Sequence, residues 1–337
     1  MLKIENSVRS INNLRPDSIP EDLLTSTEPL LLKGLVADWP IVQAAERSVK
    51  TVDQYLRQFY RGATIGAFFS PPESGGRIFY NEDMSGFNYQ PVMLKLDQVL
   101  DEIHRHRADD LPPTIYVGST TVDTCLPGFR LINDINLDNF DPLVSIWLGN
   151  QARIAAHFDS PDNIACCVAG QRRFILFPPD ELENLYVGPL DMTPAGQPLS
   201  LVDFHKPDFA KFPRFKQALQ RAQLAELEAG DAIFIPSMWW HHVESLEKFN
   251  VLINYWWKRN PEFMGDPKHV LNHALLSIRD LPAAQRKAWL NIFRYYVFEF
   301  EENSVSHIPE NRRGVLSEMN DSIARKLRAQ LLSNINR

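Results

Sequence analysis

Two short stretches hold the residue types for metal chemistry. In AAHFDSPDN, residues 155–163, His157 and Asp159 are separated by one position. On an extended strand both side chains therefore leave from one face, while Phe158 leaves from the other. An imidazole and a carboxylate side by side at a strand end can serve as two ligands of one metal ion. The third ligand is offered by MWWHHVESL, residues 238–246, where His241 and His242 are adjacent. Strand alternation sends them to opposite faces, so one joins the pair and the other turns away, and alternation does not say which. Two imidazoles and a carboxylate on one side of a divalent iron leave positions open for oxygen and a chelating co-substrate, and the lack of thiolate ligands argues against a closed structural zinc site. An isolated H-x-D is a weak signal. Its weight here comes from the β-rich surroundings and from the Gly-Asp turn and AIFIP that precede the second histidine.

The elements that must hold these residues are short. Between 111 and 260 the runs TIYVGS, LVSIWLG, RIAAHFD, NIACCVAG, RRFILFPP, AIFIP and NVLINYWW alternate with turn signals, which predicts an antiparallel sandwich or barrel. VAGQRRF predicts a tight hairpin with Gly170-Gln171 at its tip. An excursion at about 180–229 interrupts this core. Residues 1–110 mix PLLLKGL, the helical TVDQYLRQFY and the loop SPPESGGR into a lead-in α/β layer, and that loop and the excursion are the candidate mouth elements. From 261 to 337 the pattern is helical. Trp289, Ile292, Phe293 and Tyr296 form one apolar stripe, and Leu316, Met319, Ile323, Leu327 and Leu331 form another. These stripes must dock, either on the protein's own barrel or on a second copy, a closed two-fold pair being the commonest oligomer.

A chain of 337 residues, 44% hydrophobic, is long enough for a large core. Its net charge of −7 includes no Lys/Arg-rich block, which disfavours nucleic acid as an electrostatic partner. No apolar run reaches the roughly 20 residues of a membrane span, and the opening MLKIENSVRS lacks the layout of a signal peptide. The expected location is cytoplasmic, with no membrane partner. Cys125, Cys166 and Cys167 read as small buried hydrophobes, the adjacent pair pointing to opposite faces. His104 and His106 in HRHR sit two apart in a helical setting and do not share a face, so no metal site is expected there. The WW pairs at 239–240 and 256–257 read as core, and His205 is given no role.

Taken in order, HFDSPDNIACCVAGQRRFILFPPD, AGDAIFIPSMWWHHVES and VLINYWW resemble the cupin-like, Jumonji C (JmjC) group of Fe(II)- and 2-oxoglutarate-dependent dioxygenases, and are most similar to its asparaginyl-hydroxylase branch. The likeness covers residues 112–260 strongly, and EPLLLKGLVADWP and the C-terminal helices more faintly. It implies a mainly β fold with helical additions, a double-stranded β-helix (jelly-roll, cupin) core followed by a C-terminal helical segment that builds a homodimer. It also implies that His157, Asp159 and His241 bind Fe(II), with His242 facing away. Arg172 stands where the family usually has a lysine for the distal carboxylate of 2-oxoglutarate, with Arg173 on the opposite face as the fallback. Tyr116, Asn163 and Asn254 match further co-substrate contacts. Read from the residues alone, Tyr116 is equally a core tyrosine and Asn163 equally a turn residue beside Pro161. Ile154 replaces a threonine of the family and removes one hydrogen bond. The implied enzyme is a dioxygenase that decarboxylates 2-oxoglutarate to succinate and CO2 while hydroxylating a protein or peptide side chain. Two rivals are a catalytically silent cupin-like scaffold and a metal-dependent cupin enzyme that does not use 2-oxoglutarate.

Overall fold

A computed structural model describes residues 2–194 and 196–335. The strands are, in chain order, β1 (Asn6–Ser7), β2 (Arg9–Ile11), β3 (Leu30–Leu32), β4 (Thr64–Ser70), β5 (Arg77–Ile78), β6 (Gln90–Lys95), β7 (Thr114–Thr121), β8 (Leu143–Gly149), β9 (Ala152–His157), β10 (Asp162–Ala169), β11 (Arg172–Phe177), β12 (Gln223–Leu227), β13 (Ala232–Ile235), β14 (Trp240–Ser245) and β15 (Asn250–Trp257). The helices are α1 (Glu21–Leu24), α2 (Pro40–Arg47), α3 (Val49–Phe59), α4 (Leu96–Arg105), α5 (Val122–Cys125), α6 (Phe215–Arg221), α7 (Pro267–Ser277), α8 (Ala283–Phe293) and α9 (Asp321–Ile335). The chain divides after Lys258 into two compact units.

In the first unit the strands form a jelly-roll. One sheet runs β1-β12-β11-β14-β9-β5 and the other β2-β3-β13-β10-β15-β8-β7-β4-β6. Strands from the first 110 residues are thus built into both sheets. On the outer face of the nine-stranded sheet, Ile65, Ile115, Ile146 and Leu148 pack with Ile41, Val42, Val52 and Leu56 of α2 and α3. Between the sheets lie Ala165, Cys167, Phe174, Ile233 and Leu252. The outer face of the six-stranded sheet is covered by the excursion, whose Leu185, Phe204 and Phe215 close over Phe177 and Trp240; its expected extent to 229 is corrected, since residues 223–227 are β12 of that same sheet. Each apolar face of a sheet thereby acquires a cover, as a layered domain requires. Cys166 packs outward and Cys167 inward, as alternation demands.

The expected hairpin at VAGQRRF is a correction. The tight turn is there, with Gly170 at φ +74°, but β10 pairs with β13 and β15 whereas β11 pairs with β12 and β14. The turn hands the chain from one sheet to the other, which a local sequence signal for a turn does not distinguish from a paired hairpin. An added Cβ at Gly170 would run into the side chain of Asn250 and the carbonyl of Phe249, so glycine is required twice over.

The second unit, from Arg259 onward, holds α7, α8 with a π-turn continuation over residues 294–298, and α9. Among its described residues only Val305 and Ala324 are buried, while Trp289, Ile292, Tyr296 and Leu331 stand exposed. No helix among the described residues is long and apolar enough to cross a membrane.

Candidate metal centre

β9 and β14 are neighbours, and their register sets His241 opposite His157, with the two ring centroids 4.4 Å apart. The pairing shifts between His241 and Val243, which oppose His157 and Ile154. This bulge on β9 resets its alternation, so that Ile154 and His157 both line the interior cavity. Asp159 follows in the turn after β9. That turn is stitched to the one before β14, the Met238 N–H donating to the Asp159 carbonyl at 2.9 Å and the Ser237 N–H to Asp162 Oδ1 at 3.0 Å. Met238 is held at φ +68°, strain of the kind that gathers at functional sites. His157, Asp159 and His241 each offer one ligand atom, and these lie within 4.8 Å of one another.

The two histidines are held in one tautomer. His157 Nδ1 is 2.9 Å from the carbonyl of Ala155, and His241 Nδ1 is 3.0 Å from that of Trp239. A carbonyl only accepts, so each Nδ1 carries the proton and each Nε2 keeps its lone pair for a cation. Burial, then the neighbouring His241, pushes the His157 pKa down to about 4, so that ring is neutral at pH 7. Burial opposes ionisation of Asp159, but the neighbouring imidazoles, His241 foremost with its Nε2 3.5 Å from Asp159 Oδ2, outweigh it and hold the carboxyl below its usual range. Imidazole nitrogen and carboxylate oxygen form a donor set that fits a divalent transition metal.

His242 lies on the other face of β14. Its Nε2 is 3.0 Å from Glu244 Oε1 and its ring stacks on Phe204 at 4.5 Å. Glu244 also meets His205 Nε2 at 2.7 Å and Arg173 at 3.1 Å, so His205 joins a buried carboxylate on the outer face. His104 pairs with Asp53 and His106 with Asp109.

A cavity of about 380 Å³ runs from the three residues into the jelly-roll. At its rear the Arg172 guanidinium is buried, and neither its Nε nor one terminal nitrogen has a hydrogen-bond partner among the described residues. Burial pulls its pKa below the ordinary arginine range. Arg173, by contrast, points outward to Glu226 and Glu244. Tyr116 lines the cavity near Arg172, and burial raises its pKa so that it stays protonated. Asn254 accepts from Trp147 Nε1 at 2.6 Å and donates to Asn163 Oδ1 at 3.2 Å. Asn163 is therefore a strand residue facing the cavity, not a turn residue. The tryptophan pairs divide, Trp239, Trp240 and Trp257 being core while Trp256 lines the cavity. Sequence reading also passed over Trp147, Gly66, Gly118, Ser119 and Thr120, which line it too. The alternation that put Asn254 inward already put Trp256 beside it.

The profile described as cupin-like domain matches residues 16–263. Among curated proteins, the chain is 32% identical over 137 residues to lysine-specific demethylase JMJ31 of Arabidopsis thaliana, covering 40% of this chain and 24% of that protein. It is 34% identical over 145 residues to tRNA wybutosine-synthesizing protein 5 of Gallus gallus, covering 39% and 42%. To lysine-specific demethylase 8 of Xenopus tropicalis it is 22% identical over 259 residues, covering 76% and 54%. The alignments thus span between about a quarter and about half of these relatives' own lengths.

Proposed function

The chain belongs to the cupin-like domain family, and on that premise we propose that it is an Fe(II)- and 2-oxoglutarate-dependent oxygenase that hydroxylates a protein or peptide side chain. The observation that carries this reading is one cavity holding both a three-residue metal group and, at its rear, a buried guanidinium with no carboxylate of its own. A buried charge left unpaired is costly, so the fold maintains Arg172 for an anion that arrives from outside.

His157, Asp159 and His241 would hold the iron. Bound there, iron supplies a redox centre at which oxygen and a keto acid react together. The chain's own part is binding and orientation. Arg172 pairs bidentately with the distal carboxylate of 2-oxoglutarate, and the Tyr116 hydroxyl donates to the same group. The Asn163 amide, fixed by Asn254, faces the co-substrate from β10. Ile154, Phe174, Val243 and Leu252 give the slot apolar walls, which keep water from the carboxylate and strengthen its pairing with Arg172.

Arg172→Ala tests this arrangement. It is expected to raise the 2-oxoglutarate concentration needed for succinate formation by at least about tenfold, equivalent to roughly 1.4 kcal/mol, with metal affinity retained. An unchanged requirement would remove Arg172 from the co-substrate site.

A further inference from the structure

The cavity reaches the surface on one side only partly closed by side chains. Of its lining residues, Arg172, Tyr116, Ile154 and Asn254 are buried, while Gly66 and Ser119 are exposed. The mouth therefore lies over β4 and β7, with Gly196 of the excursion, also exposed, at its border.

At this mouth the sheet carries glycine where strands ordinarily carry bulk. Gly66 of β4 is opposite Met93 of the edge strand β6. Pairing of β4 with β7 ends at Ala67 and Val117, and the next two residues in line are Gly66 and Gly118. Beyond that point β7 bulges, Val117 and Thr120 opposing Leu148 and Ile146 of β8. Gly118, Gly66 and Met93 thus form a row across three strands, leading from the cavity to the sheet's outer edge, where Met93 is 68% exposed. One side of the row is raised by Phe68, whose ring lies 4.7 Å from that of Tyr89. The other is raised by Thr64, its partner Lys95 and Thr120. Phe68 and Thr64 are four residues apart, about 13 Å by strand rise, which makes the row the floor of a trench one chain wide.

The backbone does not need glycine at either place, and packing asks for it only at Gly118, where an added Cβ would press on the Phe68 ring. Neither residue has positive φ, an added Cβ at Gly66 would meet only Met93 Sδ at 3.9 Å, and one at Gly118 would meet Phe68 Cε2 at 3.4 Å. Gly149 differs, since its Cβ would collide with the carbonyl of Ile115. Glycine inside a strand weakens it and often marks the close approach of a ligand or another backbone.

We propose that this trench is the substrate track, and that Gly66 and Gly118 are specificity-determining residues admitting an extended polypeptide that delivers one slender side chain to the metal group. The proposal rests on the oxygenase reading and adds to it the path and the size limit. A polypeptide is favoured over a nucleic acid because the floor and rims are apolar, aromatic or hydroxylic, Lys95 being the one charged residue among those named. A phosphate backbone would need several cations along such a path.

The test uses the full-length protein loaded with zinc, which binds but does not turn over, and a synthetic pool of random-sequence peptides with a random RNA pool beside it. Wild type is expected to retain peptides. Gly66→Leu is expected to retain about tenfold less and Gly66→Ala an intermediate amount, both with unchanged zinc affinity and melting temperature. Equal retention by wild type and Gly66→Leu overturns the track, and so does a wild type that retains no peptide. Retention of RNA in place of peptide overturns the polypeptide assignment. Peptide retention without any response of the iron-loaded protein to 2-oxoglutarate would sink the oxygenase reading alone.

Discussion

At the scale of residues, the two histidines of WWHHV take opposite roles because a strand gives them opposite faces. His241 keeps its Nε2 free toward His157 and Asp159, while the Nε2 of His242 is engaged by Glu244. His241→Ala is therefore expected to abolish metal binding measured by calorimetry, and His242→Ala to leave the affinity within several-fold. Equal losses would contradict the assignment. The three residues of the metal group were legible in the sequence as H-x-D and the later HH, although Asp159 lies in the turn beyond β9 and not on the strand whose alternation suggested the pairing, and Arg172 was preferred to Arg173 by resemblance before each guanidinium had surroundings. The exchange of the family's threonine for Ile154 stood in the sequence, whereas its inward orientation depends on the β9 bulge, which has no local signature.

At the scale of elements, the six-stranded sheet carries a row of charges across five strands. Arg77, Arg153, Glu244, Arg173 and Glu226 are successive partners. Asp203 and His205 close over the row from the excursion, Arg153 donating to Asp203 at 3.1 Å and His205 meeting Glu244. Glu244 anchors the row. Burial works against its ionisation, but hydrogen bonds with His242 and His205 prevail and bring its pKa from 4.5 down to about 2. Because the folded value lies below the ordinary one, its contribution is complete above pH 4.5 and fades as the pH falls toward 2. Urea unfolding should find Glu244→Gln less stable than wild type by on the order of 3 kcal/mol at neutral pH, with the gap narrowing steadily below pH 4.5. A gap that stays constant with pH would show that the side chain matters by shape alone. None of this row was legible beforehand, because lateral neighbours are set by long-range register. The strands themselves were: LVSIWLG and NVLINYWW coincide with β8 and β15, since fully buried strands are marked by composition.

At the scale of the molecule, the helical unit after Lys258 leaves most of its large apolar side chains exposed. Large apolar side chains exposed in such number call for a covering partner. We propose that a second copy of the chain covers it. Sedimentation should then give twice the chain mass of 38.7 kDa, and a double variant Trp289→Asp, Leu331→Asp should sediment as a monomer. A wild type that is monomeric at all concentrations would contradict the pairing. Of the two expected stripes, Trp289, Ile292 and Phe293 lie on α8 and Ile323, Leu327 and Leu331 on α9, whereas Tyr296 falls in the π-turn and Leu316 and Met319 precede α9, and a stripe says that something must cover it and not what does.

The central claim joins the metal group to the guanidinium behind it. Its most direct test is anaerobic titration of the Fe(II)-loaded protein with 2-oxoglutarate, followed by air and an assay for succinate. A weak visible charge-transfer band that saturates with 2-oxoglutarate is expected, with slow succinate formation once oxygen enters. Bound iron with neither band nor succinate would contradict it and bring forward a cupin enzyme of other chemistry or a silent scaffold.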